Sequence, residues 1–379
     1  LNILEPLYEG CLDRMQAFVA QADSAGDSRK YPDFRSVLSR MNDTAKHPNR
    51  EYFILKSIIL NNLYGVDIME EAVEICKLRL FLKMASVVEP DEAKDNYGLE
   101  PLPDIDFNIR AGNTLVGFAT HDDVQKAVTS TLDFDDAMSA IEEKAEIAER
   151  AYDLFRRQQV ELGGEVTADD KKALRAKLTD LGAELNRYLA KQYVIDAVHH
   201  KAKYEKWLTS HQPFHWFVEF YGIMKRGGFD VIIGNPPWKE YSAVKRDYTV
   251  LNSPAEACGN LHGMCTARAN QLRSLHGRLS FIVQLPFASS SRMTSLRRLV
   301  SKGSKRIHLS TYDDRPSRLF DGLEHCRCAI FLISGDAPTS QAQLLTTKYQ
   351  RWYSEARQFM YEQLDHTSVS AVLVDGVFP

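Results

Sequence analysis

The sequence has no run of about eighteen consecutive apolar residues, so it predicts no helix that spans a membrane. It also predicts no secretory leader, because the opening Leu1-Asn2-Ile3-Leu4-Glu5 lacks a basic segment ahead of an apolar one. The six cysteines fit no zinc-module spacing, and we expect them to be free, buried thiols in a reducing compartment. Together these absences predict a cytoplasmic protein with no membrane partner and no metal site.

Acidic residues are absent between Glu256 and Asp313, although the whole chain carries a formal net charge of −4. A basic stretch of this kind either faces a polyanion or forms a solvated helix face whose charge is balanced by acids elsewhere in the fold. If the polyanion is DNA, the residues that we expect to contact it are Arg292, Arg297, Arg298, Lys302 and Lys305.

Hydrophobic periodicity divides the first part of the chain into helices and two short strands. Polar segments that contain proline or glycine separate them and predict loops. The predicted helices are 1–22, 49–61 and 70–87, and the strands are 63–67 and 106–109. The loops are 23–48, which has room for one short helix, and 89–104.

Residues 136–208 are rich in Ala, Glu, Lys, Arg and Leu, and leucines recur at three- and four-residue steps from Leu174 to Leu189. This pattern predicts a long helical hairpin, interrupted at Gly163-Gly164, whose second helix is capped by Thr167. Such a hairpin is either an arm that touches DNA or a partner, or a strut within the fold.

Four apolar segments after residue 213 predict buried strands, with helices between most of them. Alternating strands and helices are typical of a parallel α/β sheet. The last two strands are joined by little helix, so they could form a reversed hairpin at one edge of the sheet. The predicted strands are 229–234, 278–283, 307–310 and 328–333.

The strongest local pattern is Asn235-Pro236-Pro237-Trp238, which directly follows the predicted strand 229–234. Open α/β sheets bind ligands at the carboxyl ends of their strands. Two prolines fix the backbone and remove two N–H donors, so the carbonyl groups stay available as acceptors. Asn235 adds a side-chain acceptor and Trp238 adds a flat apolar face.

This set suits a planar substrate that carries an amino group. The amine would donate one hydrogen to the Asn235 side-chain carbonyl and one to the Pro236 backbone carbonyl. These bonds favour a tetrahedral nitrogen, and so stabilise the transition state for transfer to that nitrogen more than the ground state. Trp238 would stack on the ring, and a base inside a duplex would have to be flipped out to reach the site.

The tetrapeptide resembles the catalytic motif of amino-group methyltransferases, (N/D/S)PP(Y/F/W). Together with segments 62–68, 112–115 and 228–238, the chain resembles the large adenine-specific DNA methyltransferases of bacterial restriction and phage-defence systems. These include the type IIG (Eco57I-like) restriction-modification enzymes and the BREX methylase PglX. The resemblance extends from about residue 50 to residue 335.

The resemblance implies a Rossmann-like class I methyltransferase sheet that uses S-adenosyl-L-methionine and methylates N6 of adenine in double-stranded DNA. Restriction or BREX subunits are implied as further partners. The methyltransferase domain would comprise 1–120 and 213–335, the helical insertion 121–212, and a peripheral segment 336–379.

Residues matched by motif give an expected cofactor site. Asp67 would bind the ribose hydroxyls of the cofactor, although a carboxylate there could instead cap the helix that follows. Ile68 would flank the adenine of the cofactor. Asn113 would contact that adenine near its amino group, with Leu115 beside it, although Gly112-Asn113 also reads as an ordinary turn.

The sequence departs from the family in one respect, because it contains no glycine-rich loop of the kind that wraps the methionine end of the cofactor. Gly163-Gly164 and Gly227-Gly228 have the wrong context. Since the helix 1–22 has the position expected just after such a loop, we expect the first strand and the loop to lie upstream of Leu1 in a longer protein.

Three other functions fit parts of the pattern. Enzymes that methylate a glutamine side-chain amide use the same hydrogen-bonding logic, and a cytosine-N4 methyltransferase would also need it. The third alternative is a catalytically incomplete DNA-binding fragment, which the missing glycine loop favours. Asn235 favours adenine over cytosine, because cytosine-N4 enzymes more often carry serine before the prolines.

Overall fold

The computed structural model of the chain describes residues 1–43, 47, 49–93, 95–129, 134–161, 167–320, 326–335 and 342–369. The helices are α1 (Leu4–Ser24), α2 (Pro32–Met41), α3 (Arg50–Asn62), α4 (Glu70–Ala85), α5 (His121–Val128), α6 (Phe134–Glu161), α7 (Ala168–Gln192), α8 (Lys201–His211), α9 (Trp216–Glu219), α10 (Tyr221–Lys225), α11 (Tyr241–Val244), α12 (Leu261–Leu272), α13 (Pro286–Ser289) and α14 (Thr294–Ser301). The strands are β1 (Gly65–Asp67), β2 (Ile109–Ala111), β3 (Phe229–Gly234), β4 (Arg273–Gln284), β5 (Ser304–Tyr312), β6 (Cys328–Gly335), β7 (Gln343–Thr346) and β8 (Thr367–Ser368). The predicted mixed α/β architecture is confirmed.

Contacts divide the chain into two compact units. The first contains Leu1–Asn113 and Ser139–Ala183, and the second contains Thr114–Met138 and Glu184–Pro379. Both long helices of the predicted insertion, α6 and α7, therefore begin in one unit and end in the other. The segment 121–212 contributes to both units and does not form a unit of its own.

The core of the first unit is built around α3, in which every residue from Tyr52 to Leu60 is buried. A helix that is apolar on all sides requires partners all round, and α1, α2 and α4 pack against it. Lys56 and Ser57 are the exceptions to the apolar pattern, and Lys56 is paired. Its ammonium group is 3.2 Å from Oε2 of Glu100, whose Oε1 is 3.2 Å from Nδ1 of the buried His47.

The first unit also contains a two-stranded parallel sheet, β1 and β2, in which Asp67 lies opposite Ala111. The sequence placed the second strand at 106–109, three residues too early. Asn108 explains the shift, because its buried amide donates to the carbonyl groups of Ile59, Leu60 and Leu63 and so holds the chain in a turn. The strand starts only after that turn.

The helical insertion is bonded to the segment before β2 within the first unit. Lys171 of α7 makes ion pairs with Asp104 and Asp106, and Tyr152 of α6 donates to Asn108. Thr167 accepts from the Asp170 backbone N–H at 3.2 Å, which confirms the predicted cap of α7. These contacts favour a strut. Gly163-Gly164 lies outside the described residues, and α8 is a third helix where the sequence predicted two.

The second unit contains a six-stranded sheet of order β3-β4-β6-β5-β7-β8. β3 is parallel to β4 and β5 is parallel to β7, whereas β6 runs antiparallel between β4 and β5. The carboxyl ends of β3, β4, β5 and β7 therefore share one edge of the sheet with the first residue of β6. The loops after these strands are brought together at that edge, which we call the carboxyl edge.

Two predictions about this sheet are wrong. The reversed pair β5 and β6 forms as expected, but it lies inside the sheet, because β7 pairs with the outer side of β5. The segment 336–379, predicted to be peripheral, supplies both β7 and β8. Its short strands, Gln343–Thr346 and Thr367–Ser368, are too brief for an alternation of apolar and polar residues to reveal them.

Strand β3 was predicted to be buried, and the structure corrects this. Val231 is 60% exposed and Ile233 is 77% exposed. Val231 and Ile233 point to the same face of the strand, and the described residues leave that face largely uncovered. An apolar run predicts a buried strand only when both faces of the sheet are covered. β3 also ends the order of strands and pairs only with β4 among the described residues.

The expected burial of the cysteines holds for only part of the set. Cys258, Cys265 and Cys328 are buried, whereas Cys11 and Cys76 are exposed. Within the described ranges, no helix is both long and apolar enough to cross a bilayer.

Candidate functional site

The predicted catalytic segment lies at the carboxyl edge, directly after β3. Gly227 and Gly228 turn the chain into this strand with φ values of +101° and +110°. A Cβ atom on Gly228 would lie 2.4 Å from the carbonyl oxygen of Leu272, so only glycine fits there. The glycine pair thus sets the start of β3, and through it the place where Asn235 leaves the sheet.

Contacts on both sides fix the loop 235–240. The indole N–H of Trp238 donates to the carbonyl oxygen of Ile282 in β4 at 3.2 Å. The carbonyl oxygen of Lys239 accepts from the Leu261 N–H at 2.9 Å, at the first residue of α12. The loop is therefore tied to β4 on one side and to α12 on the other, which pre-organises Asn235 and Pro236.

Neither predicted acceptor is engaged by a described residue, although Pro236, unlike Asn235, is buried. Asn235 is exposed, and nothing in the described part of the chain forms a hydrogen bond with its side-chain amide. The carbonyl oxygen of Pro236 likewise accepts no hydrogen bond from a described residue. Since neither proline has an N–H, the loop presents acceptors without a competing backbone donor at Pro236 and Pro237.

The sequence suggested that Trp238 presents a freely exposed aromatic ring, and the structure differs from this. The Trp238 ring is partly buried against an apolar cluster, and its N–H serves as a structural anchor. The ring of Phe320 lies 6.2 Å from it at an interplanar angle of 63°. Sequence reasoning missed Phe320, because a single aromatic residue in a loop has no periodic pattern. The buried members of the cluster are Tyr312, Leu319, Cys328, Trp352 and Met360.

An ion pair links the loop to the basic stretch. Arg292 lies 3.3 Å from Glu240, and its guanidinium group packs against Gly259, where a Cβ atom would be only 1.7 Å from Nη2. Glycine at 259 therefore makes room for this arginine. Arg292, predicted to contact DNA, is thus placed at the carboxyl edge beside the Asn235 loop.

Arg297 requires a correction. It was predicted to contact DNA, but its side chain is 1% exposed. It donates to the carbonyl groups of Phe287 and Ser290 and to Oγ1 of Thr294, which satisfies the short helical turns around it. The guanidinium group of Arg297 thus stabilises the fold and is not exposed for contact with DNA. Arg298, Lys302 and Lys305 are exposed, and their contact with DNA stays a prediction.

The candidate cofactor residues Asp67 and Ile68 lie in the first unit, at the carboxyl end of β1. Asp67 is exposed, and its Oδ1 accepts from the Met69 N–H at 2.8 Å. Among the described residues no donor reaches its Oδ2. The bond to Met69 closes a turn ahead of α4, whose own first turn receives no side-chain cap. The helix-capping alternative is therefore not favoured, and one carboxylate oxygen stays available for a diol.

The other cofactor candidates are less accessible. Ile68 is 40% exposed, whereas Asn113 is 2% and Leu115 is 6% exposed. Contact of Asp67 and Ile68 with a bound nucleoside stays a prediction, and both side chains are exposed. Contact of Asn113 and Leu115 with its adenine ring stays a prediction. In the described part of the chain, no three His, Cys, Asp or Glu side chains cluster so as to hold a metal ion.

Relatives of the chain are found among restriction-modification enzymes. A protein of Methanocaldococcus jannaschii, named as a type II restriction enzyme and methyltransferase, is 27% identical, and the alignment covers 78% of this chain and 28% of that protein. Among solved structures, the chain is similar to a nuclease-deletion mutant of the Type ISP enzyme LlaGI in complex with a DNA substrate mimic. The identity is 11%, the TM-score is 0.35, and the match covers 98% of this chain and 43% of that one.

A second solved structure, a DrdV–DNA complex, matches with 12% identity and a TM-score of 0.31, over 97% of this chain and 44% of the other. The chain thus spans less than half the length of each of these relatives. The model of one family, described as Eco57I restriction-modification methylase, matches residues 61–320. This range holds β1, the loop after β3 and Phe320, and it covers more than half of the chain. The chain belongs to the Eco57I restriction-modification methylase family.

Proposed function

We propose that the chain transfers a methyl group from S-adenosyl-L-methionine to N6 of an adenine flipped out of double-stranded DNA, within a restriction-modification system. The observation that carries this proposal is the pair of unengaged carbonyl oxygens at Asn235 and Pro236, held on a fixed loop beside Trp238 and Phe320. Membership of the family supports methyl transfer, and the geometry of the loop supports an amino group as its acceptor.

The chemistry follows from the weakness of an exocyclic amine as a nucleophile, since its lone pair is delocalised into the ring. The Asn235 side-chain carbonyl and the Pro236 backbone carbonyl would each accept one N–H of the amine. Two acceptors in this arrangement favour the tetrahedral nitrogen of the transition state over the planar nitrogen of the ground state. When bound, S-adenosyl-L-methionine supplies the electrophilic methyl group.

Aromatic rings and basic side chains would hold the rest of the substrate. A base that stacks on an aromatic ring gains about 1–3 kcal/mol, which helps to offset the cost of leaving the duplex. Trp238 and Phe320 supply such rings. We assign phosphate contacts to Arg292, Arg298, Lys302 and Lys305, four of the five basic residues that the sequence indicated. Restriction subunits would be further partners.

The role of Asp67 in cofactor binding can be tested by substitution. We expect Asp67→Ala to weaken binding of S-adenosyl-L-methionine by about 10- to 100-fold, because a hydrogen bond to a charged group contributes about 1.5–3 kcal/mol. Isothermal titration of the cofactor measures this. Glu71→Ala, an exposed acid in the first turn of α4, is the matched control. If the Asp67→Ala and Glu71→Ala variants bound S-adenosyl-L-methionine with equal affinity, Asp67 would not be a cofactor-binding residue.

The proposal is tested by incubating the chain with duplex DNA and isotopically labelled S-adenosyl-L-methionine, followed by mass spectrometry of the nucleosides. N6-methyladenine is the expected product. Label in N4-methylcytosine would identify the chain as a cytosine-N4 methyltransferase instead. Label in a glutamine amide of a supplied peptide would identify it as a protein methyltransferase. No cofactor binding and no product would favour the catalytically incomplete DNA-binding fragment.

A further inference from the structure

A second cluster of polar residues lies at the carboxyl edge and has no part in the chemistry above. Asp313 directly follows β5, and its side chain is only 3% exposed. Its Oδ2 accepts from Nε of Arg351 at 2.7 Å, and its Oδ1 accepts from Nε of Arg327 at 3.2 Å. One buried carboxylate thus contacts two arginines, and Nε of Arg327 also lies 3.6 Å from Oδ1 of Asp314. We call Arg327 and Arg351 the arginine pair.

The arginine pair offers most of its donors to solvent. Arg327 is 56% exposed and Arg351 is 66% exposed, although the carboxylate that holds them is buried. Both use Nε alone toward Asp313, whereas an arginine that only neutralises a carboxylate commonly forms a bidentate pair. No described residue accepts a hydrogen bond from the Nη groups of the arginine pair. The ring of Tyr349 lies 5.7 Å from the Arg351 guanidinium carbon and supports that side chain.

The carboxyl group of Asp313 is ionised at neutral pH. Burial by itself would raise the pKa of this carboxyl group, but the hydrogen bonds from Arg351 and Asp314 outweigh it and lower the pKa to about 2. The carboxylate is therefore charged when it orients the arginine pair at neutral pH. Arg315 lies two residues further along the same loop and is also exposed.

The position of the arginine pair connects it with the candidate site. The carbonyl oxygen of Arg327 accepts from the Leu285 N–H at 2.9 Å, just beyond the end of β4. Trp238 is anchored three residues earlier, on Ile282 of the same strand. A strand rises about 3.3 Å per residue, so the two backbone attachment points are about 10 Å apart. A flipped nucleotide stays joined to its strand, so phosphates must pass close to the pocket that holds its base.

We infer that the arginine pair, oriented by Asp313, binds a phosphodiester group of the DNA strand that carries the target base. This inference rests on the proposed function and adds a contact to it. The guanidinium fork matches phosphate geometry, and its Nη donors are the ones left available here. Asp313 is a positioning residue, because it acts through the two arginines.

The test compares the salt dependence of binding to labelled duplex DNA. The logarithm of the binding constant falls with the logarithm of salt concentration by about 0.9 per phosphate contact. We expect Arg327→Gln/Arg351→Gln to reduce this slope by about 0.9, since the contact with one phosphate is lost. Arg306→Gln is the matched control, because Arg306 is exposed at the opposite, amino-terminal end of β5. An unchanged slope in the double variant would overturn the inference.

Two further measurements separate this inference from the proposed function. Methyl transfer by the wild-type chain tests the function alone. If the wild type methylates DNA while the double variant keeps its salt slope, only the inference fails, and if the wild type does not bind duplex DNA, both fail. Asp313→Asn should weaken DNA binding yet keep nearly the wild-type slope, because both arginines stay charged. Full affinity in a folded Asp313→Asn variant would exclude the positioning role.

Discussion

Asn235→Ala is expected to lower the rate of methyl transfer by about 10²–10³-fold, because it removes one of the two acceptors that stabilise the reacting amine. The exposed side chain of Asn235 makes no hydrogen bond with a described residue, so its removal should leave the fold intact. The measurement is single-turnover transfer with saturating cofactor and DNA, which isolates the chemical step from binding.

The controls for this variant distinguish a chemical role from a structural one. The thermal midpoint and the affinity for cofactor should match those of the wild type. Asn2→Ala, another exposed asparagine, should transfer methyl groups at the normal rate. If Asn235→Ala retained more than about a third of the wild-type rate, the side-chain carbonyl would not be an acceptor in the transition state, and the assignment of the loop would fail.

Glu100→Ala is expected to lower the free energy of unfolding by about 3–5 kcal/mol. Lys56 is only 1% exposed and Glu100 is its ion-pair partner, so the substitution would leave a buried ammonium group without a counter-charge. His47 would lose its contact with the same carboxylate. Urea denaturation followed by circular dichroism measures the change.

A compensating pair of substitutions tests the cause. Lys56→Met/Glu100→Leu replaces the ion pair with apolar groups, and it should recover most of the lost stability. Glu92→Ala, in the same connecting segment but exposed, should have almost no effect. Should Glu100→Ala and Glu92→Ala unfold at the same urea concentration, the buried pair would make no net contribution to stability.

The five longest helices, α1, α3, α4, α6 and α7, and the location of the candidate loop are predictable from the sequence, because they depend on local patterns. The apolar spacing of α1 and the cap at Thr167 act over a few residues, and the structure confirms both. The prolines of the loop after β3 also act locally, since they alone decide which backbone groups can donate. Features of this kind are determined by neighbours along the chain.

Features that depend on distant segments were not predictable. Whether Arg297 faces solvent is decided by the carbonyl groups of Phe287 and Ser290, which its charge pattern does not reveal. The pairing of Trp238 with Phe320 joins residues far apart in sequence. Asp313 and Arg351 meet only because β5 and β7 are parallel neighbours, and no sequence pattern predicts β7.

Within the described residues β3 pairs with β4 alone, and this has a practical consequence for handling the protein. The backbone N–H and C=O groups around Val231 and Ile233, whose side chains are exposed, form a template on which another extended peptide can add. In a concentrated solution of this chain alone, the nearest such peptide is the same strand of another molecule. Light scattering should therefore show aggregates that grow with protein concentration, and replacing Ile233 with lysine should suppress them.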